Sequence, residues 1–136
     1  MITSDRQYKA AKKQLVMLGE SLSAPKKKAV PDAVRQAAKA QTQELMDEIQ
    51  ESINEYEALR NGKPTDVEIH SLDDLMVAPI RYRIAARMSL DEFGRKVGVS
   101  ARQIARYELE GYQNINTSTF QKILRKLNLR LDGSVA

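Results

Sequence analysis

Residues 88–110 read MSLDEFGRKVGVSARQIARYELE, and within them two short helical patterns lie only three residues apart. Ser89 stands three positions before Glu92, and Ser100 three before Gln103. At that spacing a hydroxyl caps the start of a helix and the later side chain reaches back to the cap. The spacing recurs at Ser118 and Gln121. Together the three signals predict helices at Leu90–Val97, Ala101–Glu110 and Thr119–Leu127. Between the first two, Gly98 supplies a position that tolerates positive φ, Val99 is an apolar plug turned towards the core, and Ser100 starts the next helix. So short a connection forces a sharp angle between the helices. Phe93, Val97, Val99, Ile104 and Tyr107 can then close one small core with Ile80, Ile84, Phe120, Ile123, Leu124 and Leu127.

The rest of the chain frames this stretch. Its 136 residues favour one domain, or one small domain with an extension. Apolar residues make up 42%, enough for one modest core. Five Tyr, two Phe and no Trp suit a helical protein built on aliphatic residues better than a β-sandwich. Without cysteine there is no disulfide framework. No apolar run approaches the roughly 18 residues of a membrane helix, and MITSDRQYKAAKKQ lacks the apolar centre of a signal peptide. A cytoplasmic protein without a membrane role is the expectation. Charge is uneven: residues 1–76 carry 11 Lys and Arg against 13 Asp and Glu, whereas residues 77–136 carry 11 against 5. The basic C-terminal part points to a nucleic-acid partner.

Ahead of that part, Ser4 with Gln7 caps a predicted helix to Leu22, striped by Tyr8, Ala11, Leu15, Leu18 and Leu22. SAPKKKAVPD is a connector, with its three lysines a solvated loop. A long helix is expected from Asp32 to Arg60, with Gly62 as its stop. Its stripe is Val34, Ala38, Leu45, Ile49, Ile53, Tyr56 and Leu59, and the rest is acidic: Glu44, Asp47, Glu48, Glu51, Glu55 and Glu57. A stripe that narrow must pack on another helix, on a second copy or on a partner. GKPTDVEIH is a second connector with an extended piece at Val67–His70. Ser71 and Asp74 mark a short turn of helix, and Pro79 is expected in the first turn of a further helix ending near Arg87.

Catalysis finds little footing. The single histidine, His70, sits in a connector; the glycines form neither G-x-G-x-x-G nor a phosphate-binding loop; and no His or Cys spacing suits a metal. Neither enzyme activity nor a cofactor is expected.

MSLDEFGRKVGVSARQIARYE resembles the Cro/cI-type (xenobiotic-response-element) helix-turn-helix family, through Gly94, Gly98, Val99, Ser100, Ile104 and Glu108. The resemblance covers residues 77–131 and implies five short helices, the second motif helix entering the major groove of double-stranded DNA. Leu90 departs from the pattern, standing where the family commonly has a Gln that braces this helix and a phosphate. With Ile104 and Tyr107 inward, Ala101, Arg102, Ala105 and Arg106 lie on or near the opposite side. An Arg fork matches the O6 and N7 acceptors of guanine, and small alanines let the helix sit deep. Ser100 and Gln103, near the helix N-terminus, suit phosphate contacts, as do Tyr112, Gln113 and Asn114 in the following loop.

DRQYKAAKKQLVML and ELMDEIQESINEYEAL, placed ahead of such a domain, resemble HigA-like antitoxins, with Tyr56-Glu57 as the pair that ends their helical segment. That resemblance implies a HigB-type ribonuclease toxin as partner and autoregulation of a shared operon. The expectation is therefore an all-α repressor, homodimeric, with an N-terminal long-helix hairpin or dimerisation segment ahead of a five-helix domain. Residues 1–62 are its oligomerisation or toxin-binding region, 63–76 a linker, 77–131 the DNA-binding domain and 132–136 a tail. A stand-alone or phage-type repressor and an interaction module with a degenerate motif are the alternatives. Self-association is expected through Leu45, Ile49, Ile53 and Tyr56, with a pairing strand at Leu127, Leu129 and Leu131 as the competitor.

Overall fold

In a computed structural model of the chain, residues 1–24 and 29–136 are described. The expected lysine connector, Lys26–Lys28, lies outside them. Among the described residues there are six α-helices, one short 3-10 turn and no strand: α1 (Asp5–Ser23), α2 (Asp32–Asn61), the turn Pro64–Asp66, α3 (Leu72–Ala85), α4 (Leu90–Val97), α5 (Ala101–Leu109) and α6 (Thr117–Lys126). The fold is all-α, as expected. The chain forms two compact units, Met1–Ala58 and Leu59–Ala136.

In the first unit α1 and α2 run antiparallel. Ser4 caps α1 by accepting the Gln7 N–H at 3.2 Å. At one end Tyr8 Oη donates to Glu57 at 2.5 Å and Tyr56 Oη donates to Asp5 at 2.8 Å. The two tyrosine rings lie 5.2 Å apart at 38°, and the Lys12 ammonium sits 5.0 Å from the Tyr8 ring centre. The hydrogen bond to the Glu57 carboxylate raises the Tyr8 hydroxyl above its ordinary pKa. Further along, Gly19 of α1 faces Met46 of α2, and Leu22 lines an open groove with Lys39, Ala40 and Gln43. Helix α1 contributes no fully buried residue and α2 only Ile53 and Tyr56. Polar reciprocity at one end therefore supplements a thin apolar contact.

The second unit holds the core. Phe93, Val97, Ile104, Tyr112 and Ile123 are fully buried, with Ile80, Ile84 and Phe120 beside them. Several local expectations are corrected here. Val67–His70 forms no strand, and the 3-10 turn precedes it. The Ser71 turn and the Pro79 helix are one helix: Ser71 caps α3 by accepting the Asp74 N–H at 3.1 Å, and Pro79 is buried mid-helix. Proline is tolerated there where packing outweighs the one backbone bond its missing N–H forfeits. His70 is exposed, its backbone N–H donating to Asp74 and its ring against Glu68. That N–H and then Arg81, 3.0 Å away, hold the Asp74 carboxyl below its usual range. Helix α6 is capped by Asn116, which accepts the Ser118 N–H at 2.8 Å, so it starts earlier than the Ser118 spacing suggests. Four α-helices, α3–α6, make up the segment in which the family resemblance implies five. No strand forms at Leu127–Leu131, where Leu127 ends α6 and Asn128 takes φ 55°.

The buried charges are specific. Arg83 on α3 donates two hydrogen bonds to Glu108 on α5, Nε to Oε2 at 2.5 Å and Nη2 to Oε1 at 2.7 Å. A third goes from Nη1 to the Met88 carbonyl at 3.0 Å. Both side chains are nearly enclosed, at 9% and 6% exposure. Breaking such a pair from one side leaves an uncompensated buried charge, costing about 3–5 kcal/mol, whereas an apolar pair of similar volume is often neutral or better. Arg83→Met should therefore lower unfolding stability by about that amount, and Arg83→Met with Glu108→Leu should recover most of the loss. Urea unfolding of the two variants beside the parent measures both.

The Tyr112 hydroxyl is buried without a hydrogen-bond partner among the described residues. Burial first, and the Glu108 charge second, push its pKa above the ordinary tyrosine value. An unmade buried hydrogen bond costs about 1–3 kcal/mol. Tyr112→Phe should raise the urea midpoint, and a fall would show that this hydroxyl has a partner.

Candidate nucleic-acid interface

The sharp α4–α5 angle is built from three backbone features. Ser89 and Glu92 form a reciprocal capping box at the start of α4. Gly98 ends α4 in the left-handed region at φ 75°, where a side chain would be strained. Gly94 is required for space: a methyl group there would run into the Val99 carbonyl oxygen and crowd the Ala101 nitrogen. The backbone of α4 can thus approach the start of α5 closely. Ser100 then caps α5, accepting the Gln103 N–H at 3.2 Å. From α6, Lys122 reaches back to the Gly98 carbonyl at 3.4 Å, placing a cation at the C-terminal end of α4.

Helix α5 has an inner and an outer side. Ile104 and Tyr107 are buried, while Arg102, Ala105 and Arg106 are exposed and Ala101 is half-buried. The Arg102 side chain makes no hydrogen bond or ion pair among the described residues. Arg106 lies 3.6 Å from Glu110 and stays 67% exposed, so its tether is weak. The two arginines, one turn apart, are held on a helix whose inner side is fixed by the Arg83–Glu108 pair. Gln103 is half-buried, its amide donating to the Tyr107 hydroxyl at 3.0 Å. Its side chain and the Ser100 hydroxyl thus already have structural roles at this helix end. In the following loop Gln113 and Asn114 are exposed.

Tyr112 is a correction. Expected at the DNA backbone, it is fully buried, its ring between Tyr107 at 5.6 Å and Phe120 at 5.9 Å. Gly111 and Tyr112 both take positive φ, 60° and 59°. This turns the chain back on α5, with the Tyr112 N–H bonded to the Tyr107 carbonyl at 2.8 Å. A loop tyrosine reads as exposed until that double left-handed turn is known. Arg83, which holds α5 through Glu108, is a positioning residue that helix periodicity alone does not single out. What marks it is a charge on an otherwise inward face: Arg83 falls three residues after Ile80 and one before Ile84.

Among the described residues no cluster of His, Cys, Asp and Glu could hold a metal ion, and no helix is long and apolar enough to cross a membrane. No curated protein and no solved structure matches the chain. A family model does match, the Helix-turn-helix model, over residues 80–133, from within α3 to beyond the end of α6. Residues 80–133 are a helix-turn-helix domain of the Cro/cI type, the module of DNA-binding transcriptional regulators.

Proposed function

We propose that the chain is a sequence-specific transcriptional repressor that reads double-stranded operator DNA with α5 in the major groove and acts as a homodimer. The observation that carries this reading is the outer side of α5, where Arg102 and Arg106 stand exposed around Ala105. Arg102 and Arg106 reach guanine edges, while Ala101 and Ala105 let the helix approach. Ser100, Gln103, Gln113 and Asn114 lie along the phosphates. The excess of Lys and Arg over residues 77–136 supplies the sequence-independent part of the affinity. Two copies reading two half-sites, about 10 base pairs or a multiple apart, would give the specificity one unit lacks.

As a finer reading, we assign residues 1–62 to toxin capture and the chain to an autoregulating antitoxin, on the strength of the Tyr56-Glu57 pair. Both members are engaged within the helical hairpin, Tyr56 with Asp5 and Glu57 with Tyr8. A small basic ribonuclease encoded in the adjoining reading frame and co-purifying with this chain is the outcome expected. A lone reading frame would favour the stand-alone repressor.

An operator selected from random-sequence DNA tests the groove reading. On it, Arg102→Ala and Arg106→Ala should each cost about 1–3 kcal/mol, with less effect on unselected DNA. Both variants binding the selected site at parental affinity would remove α5 as the reading helix.

The logarithm of affinity should also fall linearly with the logarithm of salt, with a slope of about 0.9 per phosphate neutralised. A flat response would support the alternative in which Leu90 marks a motif that has lost DNA binding.

A further inference from the structure

Leu109, the last residue of α5, keeps 89% of its surface in water. Among the described residues no other large apolar side chain within a helix is so exposed. A single leucine on a protein surface is ordinary; its place is what distinguishes this one. Ile104 and Tyr107 turn into the core. On the opposite side Arg102, Ala105, Arg106 and Leu109 follow at spacings of three, one and three. At the pitch of an α-helix, Leu109 falls between Ala105 and Arg106 around the axis, in line with Arg102 seven positions earlier. The helix that carries two free guanidinium groups therefore also carries an apolar strip between them, small at Ala105 and large at Leu109.

The chemistry of the major groove decides what such a strip can meet. A leucine can neither donate to a phosphate nor pair with a base. The groove edge of guanine offers two acceptors, that of adenine an acceptor and a donor, and that of cytosine a donor. Only thymine presents an apolar group there, its C5-methyl. Set over any other base, the leucine would cover polar atoms and leave their hydrogen bonds unmade. Over thymine it buries a methyl group on each side. The same side chain thus rewards one base and penalises the other three, which is how a contact without hydrogen bonds discriminates.

We propose that Leu109 is a further specificity-determining residue of α5, reading the C5-methyl of a thymine beside the guanine taken by Arg106. The proposal rests on the reading of α5 as the groove helix. Three residues of helix rise about 4.5 Å, against about 3.4 Å per base step. The thymine should accordingly lie within about two base pairs of that guanine.

Replacing thymine by deoxyuridine removes this methyl and nothing else. In the selected operator each thymine is replaced in turn, in symmetric pairs where the site has two halves, and binding of the full chain is measured. One position should weaken the parent about fourfold per half-site, the effect of burying one methyl group. Leu109→Ala should bind the thymine operator more weakly and be indifferent to deoxyuridine at that position. Its urea midpoint should match the parent's, because the side chain is exposed. A parent indifferent to every replacement overturns the proposal, as does an operator without thymine within reach of the guanine. A deoxyuridine penalty undiminished in Leu109→Ala also overturns it and gives the methyl to Ala105. Arg106→Ala on the same operator separates the two levels. If it weakens binding while deoxyuridine does not, the Leu109 assignment alone fails. If it too binds at parental affinity, the groove reading fails and takes the Leu109 assignment with it.

Discussion

The position of α5 rests on one buried guanidinium. Arg83 takes both carboxylate oxygens of Glu108 and the Met88 carbonyl, so a single side chain joins α3, the turn after it and α5. A buried ion pair is a poor source of net stability, because desolvating both charges cancels much of their attraction. Its value here is geometric. The planar fork accepts one orientation of the carboxylate, and α5 cannot rotate about its axis without leaving two charges unpaired in the core. The outward direction of Arg102 and Arg106 follows from that restraint.

The two units answer the same problem, how to hold short or thin apolar surfaces together, in opposite ways. In the second, an apolar core of Phe93, Val97, Ile104 and Ile123 encloses one charge pair. In the first, where few residues are buried, two tyrosines exchange hydrogen bonds with carboxylates of the facing helix. Charge-assisted bonds of this kind are directional and roughly twice as strong as neutral ones. They register α1 against α2 at one end while leaving Val34 and Leu45 exposed.

Much of this was legible in the sequence because it is encoded within a few residues. The caps at Ser4, Ser89 and Ser100 and the left-handed Gly98 depend on near neighbours, and the structure has them where the spacing put them. The family resemblance at Gly94, Gly98 and Ile104 rests on similarly local rules. What the sequence hid depends on distant packing. Pro79 reads as a helix start, since nothing local reveals that α3 runs through it. Tyr112 reads as a surface aromatic because its burial needs two successive positive φ values and a slot between Tyr107 and Phe120. Arg83 and Glu108 are 25 positions apart, and no periodicity joins them. Ser118 had a rival in Asn116, and side-chain geometry alone decides between two polar residues so close together.

The lengths of the helices carry a consequence for how the protein is lost. Helices α4, α5 and α6 have 8, 9 and 10 residues, below the roughly 12–15 at which an isolated helix begins to persist in water. Each exists only while the others are docked against it. No partly unfolded species of the second unit can therefore retain α5, and opening of its core exposes the whole segment to proteases in one step. Helix α2, with 30 residues, is under no such constraint and can stay helical after its neighbours have melted. Cellular turnover would then remove the arginine-bearing surface abruptly, with no lingering half-active form.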